Sequence, residues 1–155
     1  MFAFIDPYNP LEPSPNGMTA ADLFYYLTWR GVKTVLWYGY DQFEQRETLF
    51  AAIRRPFLIG DYDLRDNTLW CGDVHLAEID QPTFDIRPGT RGAGIVCGNL
   101  GKPAHAAADA LGRQLAQLYQ SATFPDGRSG ALVYTAPAIW PALSSAAADT
   151  PDDSW

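Results

Sequence analysis

Cysteine is scarce in this chain, with Cys71 and Cys97 the whole supply in 155 residues. That number argues against a disulfide scaffold, and without an export signal both are expected as reduced thiols. Histidine is as rare, so Cys71, His75, Cys97 and His105 are the only soft ligands. They lack the short paired spacing of structural zinc sites, and no metal is expected. A Cys71–His105 nucleophile pair has no supporting signature either. Basic residues are also few, eleven against eighteen acidic ones, for a net charge of −7. A domain that grips RNA or DNA alone needs a basic face to displace counterions. The local pairs, Arg54–Arg55 and Arg87 with Arg91, read as solvated surface, so any grip on nucleic acid must come largely from elsewhere. No apolar run approaches the length of a membrane span. The start, Met1-Phe-Ala-Phe-Ile-Asp6, lacks the basic flank and long apolar core of a signal peptide. The expectation is a soluble cytoplasmic protein with no membrane contact.

The remainder is ordinary for a globular chain: hydrophobic residues make up 47% and charged residues 19%. One domain over residues 1–143 is expected, followed by a disordered acidic tail, Ser144 to Trp155. Phe2-Ala3-Phe4-Ile5 reads as a buried strand that ends at Asp6-Pro7-Tyr8-Asn9-Pro10, where two prolines cannot continue a ladder. Thr19-Ala20-Ala21-Asp22 has capping-box spacing and opens a helix to about Trp29, stopped by Gly31. Val32 to Tyr38 is β-branched and aromatic, a second core strand. A helix then starts near Asp41, carries Phe43, Leu49, Phe50 and Ile53 on its apolar stripe, and ends with Arg54–Arg55 before Pro56. Strand, helix, strand, helix at this spacing is a βαβα unit, which calls for a parallel sheet.

The second half differs. A long strand spans Thr68 to Ile79, with His75 and Glu78 alternating against Val74 and Leu76. A turn-rich stretch from Gly89 leads to a short strand at Ala93 to Cys97. Two strands joined without a helix are most simply antiparallel neighbours. Pro103 opens an alanine-rich helix with Ala104, Ala107, Ala108, Leu111, Leu115 and Leu118 on one face, and Ala131 to Thr135 forms a last strand. The fold class is α/β with parallel strands, an antiparallel C-terminal edge and flanking helices.

In open parallel sheets ligands bind beyond the carboxyl ends of the strands, where the Asp6-Pro7-Tyr8 loop falls. A carboxylate there can accept a hydrogen bond from an exocyclic amine while the aromatic ring stacks on an extruded base. The plainer alternative is an Asp-Pro turn that ends a strand, with Tyr8 as packing. Gly98-Asn-Leu-Gly-Lys102 before a helix invites an anion, but it lacks P-loop spacing and reads as a tight turn.

Three stretches in order, Phe2-Ala-Phe-Ile-Asp-Pro-Tyr8, Val35-Leu-Trp-Tyr-Gly39 and Arg91-Gly-Ala-Gly-Ile-Val-Cys-Gly-Asn99, resemble the C-terminal half of a known family over roughly residues 2–135. That family is the bacterial large-subunit ribosomal RNA adenine-N6 methyltransferases, which use S-adenosylmethionine. The resemblance implies a partial Rossmann-like sheet, with Asp6, Pro7 and Tyr8 as the target-amine loop. Asn9, Trp37, Tyr38 and Asn99 are then substrate-binding. One proline stands between Asp6 and Tyr8 where the family has two, and Asn99 is not followed by the paired prolines. No glycine-rich donor loop follows an early strand. S-adenosylmethionine is therefore expected to need more than this chain, and RNA to be met only within an assembly. A partner chain, or self-association through an exposed sheet edge, goes with that reading. The competing expectation is a non-catalytic α/β module that binds a protein partner.

Overall fold

The computed structural model describes residues 1–59, 69–79, 90–120, 122–123 and 129–140. In chain order these form β1 (Phe2–Ile5), α1 (Ala20–Trp29), β2 (Lys33–Tyr40), α2 (Phe43–Ile59), β3 (Leu69–Leu76), β4 (Gly92–Gly98), α3 (Lys102–Leu118), β5 (Ala122–Thr123), β6 (Ser129–Gly130) and β7 (Leu132–Trp140). The expected acidic tail and Arg87 lie outside the described residues. Among those residues no helix is long and apolar enough to cross a membrane.

The main sheet has five strands in the order β1-β2-β4-β3-β7. β1 and β2 pair in parallel, from Phe2 opposite Lys33 to Ile5 opposite Leu36, with α1 in the crossover that a parallel pair requires. The parallel arrangement stops at this pair; β3 and β4 are antiparallel neighbours as expected, and the antiparallel part reaches further in than the C-terminal edge, as far as β2. β4 inserts antiparallel between β2 and β3, and β7 adds antiparallel to β3. β2 and β3 therefore run the same way without pairing, and β1–β2 is the one parallel pair among the described residues. The fold is α/β, a mixed sheet with three helices. β5 and β6 form a separate two-stranded hairpin.

α1 and α2 cover one face. Phe24 from α1 and Phe50, Ile53 and Phe57 from α2 pack with Leu36, Tyr38 and Tyr40 of β2 and Val96 of β4. α3 lies on the second face, where Val35, Trp70 and Cys97 are buried beside Ala108. Thr19 opens α1 as its spacing indicates. Its hydroxyl accepts from the Asp22 N–H at 3.0 Å, and the Asp22 carboxylate accepts from the Thr19 N–H at 2.9 Å.

Several elements differ from expectation for physical reasons. β1 is an edge strand rather than a buried one. Phe2 and Phe4 share the second face with their partners Lys33 and Val35, beyond the part of that face that α3 covers. They are 59% and 57% exposed. α2 does not stop at Arg54–Arg55 but runs through Pro56 to Ile59. Phe57 anchors that last turn, edge-on to Phe24 at 5.9 Å and to Tyr25 at 5.0 Å. β3 ends at Leu76, and His75 is buried rather than turned to solvent. α3 is rotated from its expected stripe. Leu111 and Leu118 are exposed while Gly112 is the buried residue, because the Tyr134 ring lies directly against Gly112.

Candidate functional site

The Asp6–Pro10 loop leaves the carboxyl end of β1, beside β2 of the parallel pair. Its base is fixed: Pro10 is fully buried and its carbonyl accepts from the Ala21 N–H at 3.1 Å, tying the loop to the first turn of α1. Asn9 does a local job, its Oδ1 accepting from the Leu11 N–H at 3.0 Å. The outer part is open. Asp6 is exposed, Pro7 half-buried, and Tyr8 is 99% exposed. An aromatic ring held out on a fixed loop has an apolar face with no intramolecular partner, which is the form a stacking platform takes.

The other expected site residues scatter. Trp37 and Tyr38 are consecutive in a strand and so point to opposite faces. Trp37 is half-buried on the second face, one row beyond the Ile5–Leu36 pair and so level with Asp6. Tyr38 is wholly buried on the first face. Asn99 follows β4, whose Gly98 pairs with Thr34 near the start of β2, so it sits at the opposite end of the strands from the Asp6 loop. Its amide donates to the Thr28 carbonyl at 2.7 Å and to the Val32 carbonyl at 2.9 Å. There it joins the end of α1 to the start of β2.

A polar cluster absent from the sequence reading lies beneath Tyr38. Asp73, on β3, has a side chain with 0% exposure. Its Oδ1 accepts from Tyr40 Oη at 2.7 Å, and its Oδ2 from Tyr38 Oη at 3.2 Å and Arg46 Nε at 2.8 Å. Arg46 also approaches through Nη2 at 2.8 Å and lies over the Phe50 ring at 4.2 Å. His75 Nδ1 stands 3.7 Å from Asp73 Oδ1, too far for a direct hydrogen bond. It is 3.4 Å from Thr135 Oγ1. Register explains the cluster: Tyr38, Gly94 and Asp73 form one row across β2, β4 and β3. The tyrosine spans β4 only because residue 94 has no side chain. A Cβ there would stand 2.6 Å from Asp73 Cβ and overlap the Tyr38 ring.

Burial alone would raise the Asp73 pKa, but His75, Arg46 and Tyr40 outweigh it and bring it down to about 2. Burial and the Asp73 charge push both Tyr38 and Tyr40 upward. Asp73 thus stays ionised near neutral pH, which is poor equipment for a proton-transfer group there. It fixes the end of β2 that adjoins the Asp6–Pro10 loop and the start of α2.

The four soft ligands do not converge. Cys71 belongs to the first-face core and Cys97 to the second, although they lie on paired strands, with Trp70 opposite Cys97 and Cys71 opposite Val96. His105, on α3, stacks on Trp70 at 5.9 Å. Among the described residues no group of three or more His, Cys, Asp or Glu is placed to hold a metal. The stretch Gly92–Gly94 forms no cradle for a methyl donor either, since Tyr40 and Tyr38 occupy the space over it. Neither the known protein families nor the curated proteins contain a match to this chain.

Proposed function

We propose that this chain is the target-recognition half of an adenine-N6-type methyltransferase, acting on RNA with S-adenosylmethionine bound outside the described residues. The observation that carries the reading is the Asp6–Pro10 loop at the carboxyl end of the parallel pair, clamped at Pro10 and open at Tyr8. The observed order, a parallel pair followed by an antiparallel pair, agrees with it. S-adenosylmethionine supplies the methyl group when bound, and on this reading a partner chain holds it.

The loop's own chemistry is positioning. An aromatic amine is a poor nucleophile because its lone pair is conjugated with the ring. The Asp6 carboxylate and Pro7 carbonyl would accept the two amine hydrogens and turn the lone pair out toward the donor. Tyr8 would stack on the extruded base. Each hydrogen bond to the charged group is worth about 1.5–3 kcal/mol, or roughly ten- to a hundred-fold in rate.

The test is methyl transfer from labelled S-adenosylmethionine to adenine-containing RNA by this chain with a donor-binding partner chain. Asp6→Ala is expected to lower turnover by roughly ten- to a hundred-fold. Tyr8→Ala should mainly weaken RNA binding, by about 1–3 kcal/mol, and His105→Ala should leave turnover nearly unchanged. Full activity in Asp6→Ala, or its loss in His105→Ala, overturns the assignment. A second reading, a non-catalytic module that pairs with a protein partner, is favoured by one observation: the open β1 edge with Phe2 and Phe4 exposed on it.

A further inference from the structure

Between α3 and the second face of the sheet lies an apolar cleft, open to solvent along one side, of about 220 Å3. Its floor arises from a pattern that occurs twice, Trp37-Tyr38-Gly39 and Trp70-Cys71-Gly72. Residues two apart in a strand share a face. An indole can therefore lie down along its own strand only if the second residue onward has no side chain. Both do so: a Cβ on Gly39 would stand 2.8 Å from Trp37 Cη2, and one on Gly72 2.7 Å from Trp70 Cη2. Trp37, Ile95 and Gly72 form one row across β2, β4 and β3, so the two indoles flank Ile95. Ala108 and Leu115 of α3 roof the space and Tyr134 closes one side.

The lining carries no charge into this space. Asp73 reaches it only through its main chain, since its carboxylate is held on the other face with 0% exposure. The Tyr134 hydroxyl donates to Asp109 at 2.7 Å. Bringing an ion into such a place would cost its hydration without a partner in return. Size narrows the choice further, because an apolar cavity of about 150 Å3 in another protein takes up benzene. The space here is larger by about the volume of a second ring.

From this geometry we infer that the cleft is a binding site for an uncharged, flat aromatic compound of about two fused rings. No residue of the Asp6–Pro10 loop lines it, although Trp37 on its wall lies level with Asp6, and the test uses neither donor nor RNA. Indole is titrated into the full chain labelled with nitrogen-15, and indole-3-carboxylate serves as the charged counterpart. The expected result is a saturable shift of the Trp37 and Trp70 indole N–H signals, with a dissociation constant on the order of 0.1–1 mM. The carboxylate should bind at least about ten-fold more weakly. Ala108→Leu fills the space from the roof and Ile95→Phe from the floor; each folded variant should lose about ten-fold or more in affinity. Ile95→Phe carries the test by itself if Ala108→Leu does not fold. Absence of a saturable shift up to the solubility of indole overturns the inference. So does equal binding of the carboxylate, or wild-type affinity in the folded cavity-filling variants. Failure here leaves the Asp6 assignment standing, and loss of activity in Asp6→Ala leaves this one standing.

Discussion

A carboxylate without exposed surface contributes to stability according to what surrounds it, and Asp73 has two tyrosines, an arginine and a histidine about it. Its pKa falls from an ordinary 3.8 to about 2 in the folded chain, where these groups outweigh the burial that opposes them. A folded-state pKa below the unfolded one means that unfolding takes up a proton in acid. The contribution, about 2 kcal/mol, is therefore complete above the unfolded pKa and is lost as pH falls through about 2. Urea melts of the wild type and Asp73→Asn across that window should show the variant lacking this part of the acid dependence. At neutral pH the variant should also be less stable by about 1–3 kcal/mol, since the part-buried Arg46 loses its bonds to Asp73 and keeps only the exposed Glu47 as an ionic partner. Equal pH slopes in the two proteins would remove Asp73 from the account of acid stability.

Between elements, the joint at Asn99 does the comparable work. Its backbone has φ of 60°, a left-handed conformation that Asn tolerates better than most side chains. Its amide ties the end of α1 to the start of β2. Asn99→Ala should destabilise the fold by about 1–3 kcal/mol, losing both bonds and the tolerated conformation. Asn99→Gly restores the conformation without the bonds and should fall between, in thermal or urea unfolding. A variant as stable as the wild type would show the joint to be slack. The α1 boundary was legible in the sequence because Thr19 and Asp22 act within one turn of each other, and β1–β2 pairing because a single helix joins them. The Asp73 cluster was not, since local periodicity says nothing about which strand inserts between β2 and β3. Nor was the true place of Asn99. The stretch around it resembles a binding motif, and only the β2–β4 register puts it at the end of the strands away from Asp6. The target loop itself was legible as a position at the end of a strand, whereas its anchoring through Pro10 and Ala21 is a tertiary contact.

Taken whole, the molecule pairs a net charge of −7 with an open parallel edge. Among the described residues β1 has one neighbour, and Phe2 and Phe4 are exposed on one of its faces. Such an edge promotes strand addition, which natural proteins often block with lysine. The chain alone is therefore expected to associate at low micromolar concentration, and Phe4→Lys to shift light scattering toward the monomer. A wild type that stays monomeric would mean that repulsion from its charge outweighs the edge. The division of the core by the sheet has a practical consequence for following how the fold opens. Cys71 and Cys97 are nearly neighbours across paired strands, yet each is sealed under a different layer of helices. Burial pushes the Cys97 thiol up to about 12, so it is protonated and inert until its layer lifts. Alkylation timed residue by residue would then act as two independent clocks. One would run with the parting of α1 and α2 from the sheet, the other with the parting of α3. Their ratio would tell whether the two layers come away together or one at a time.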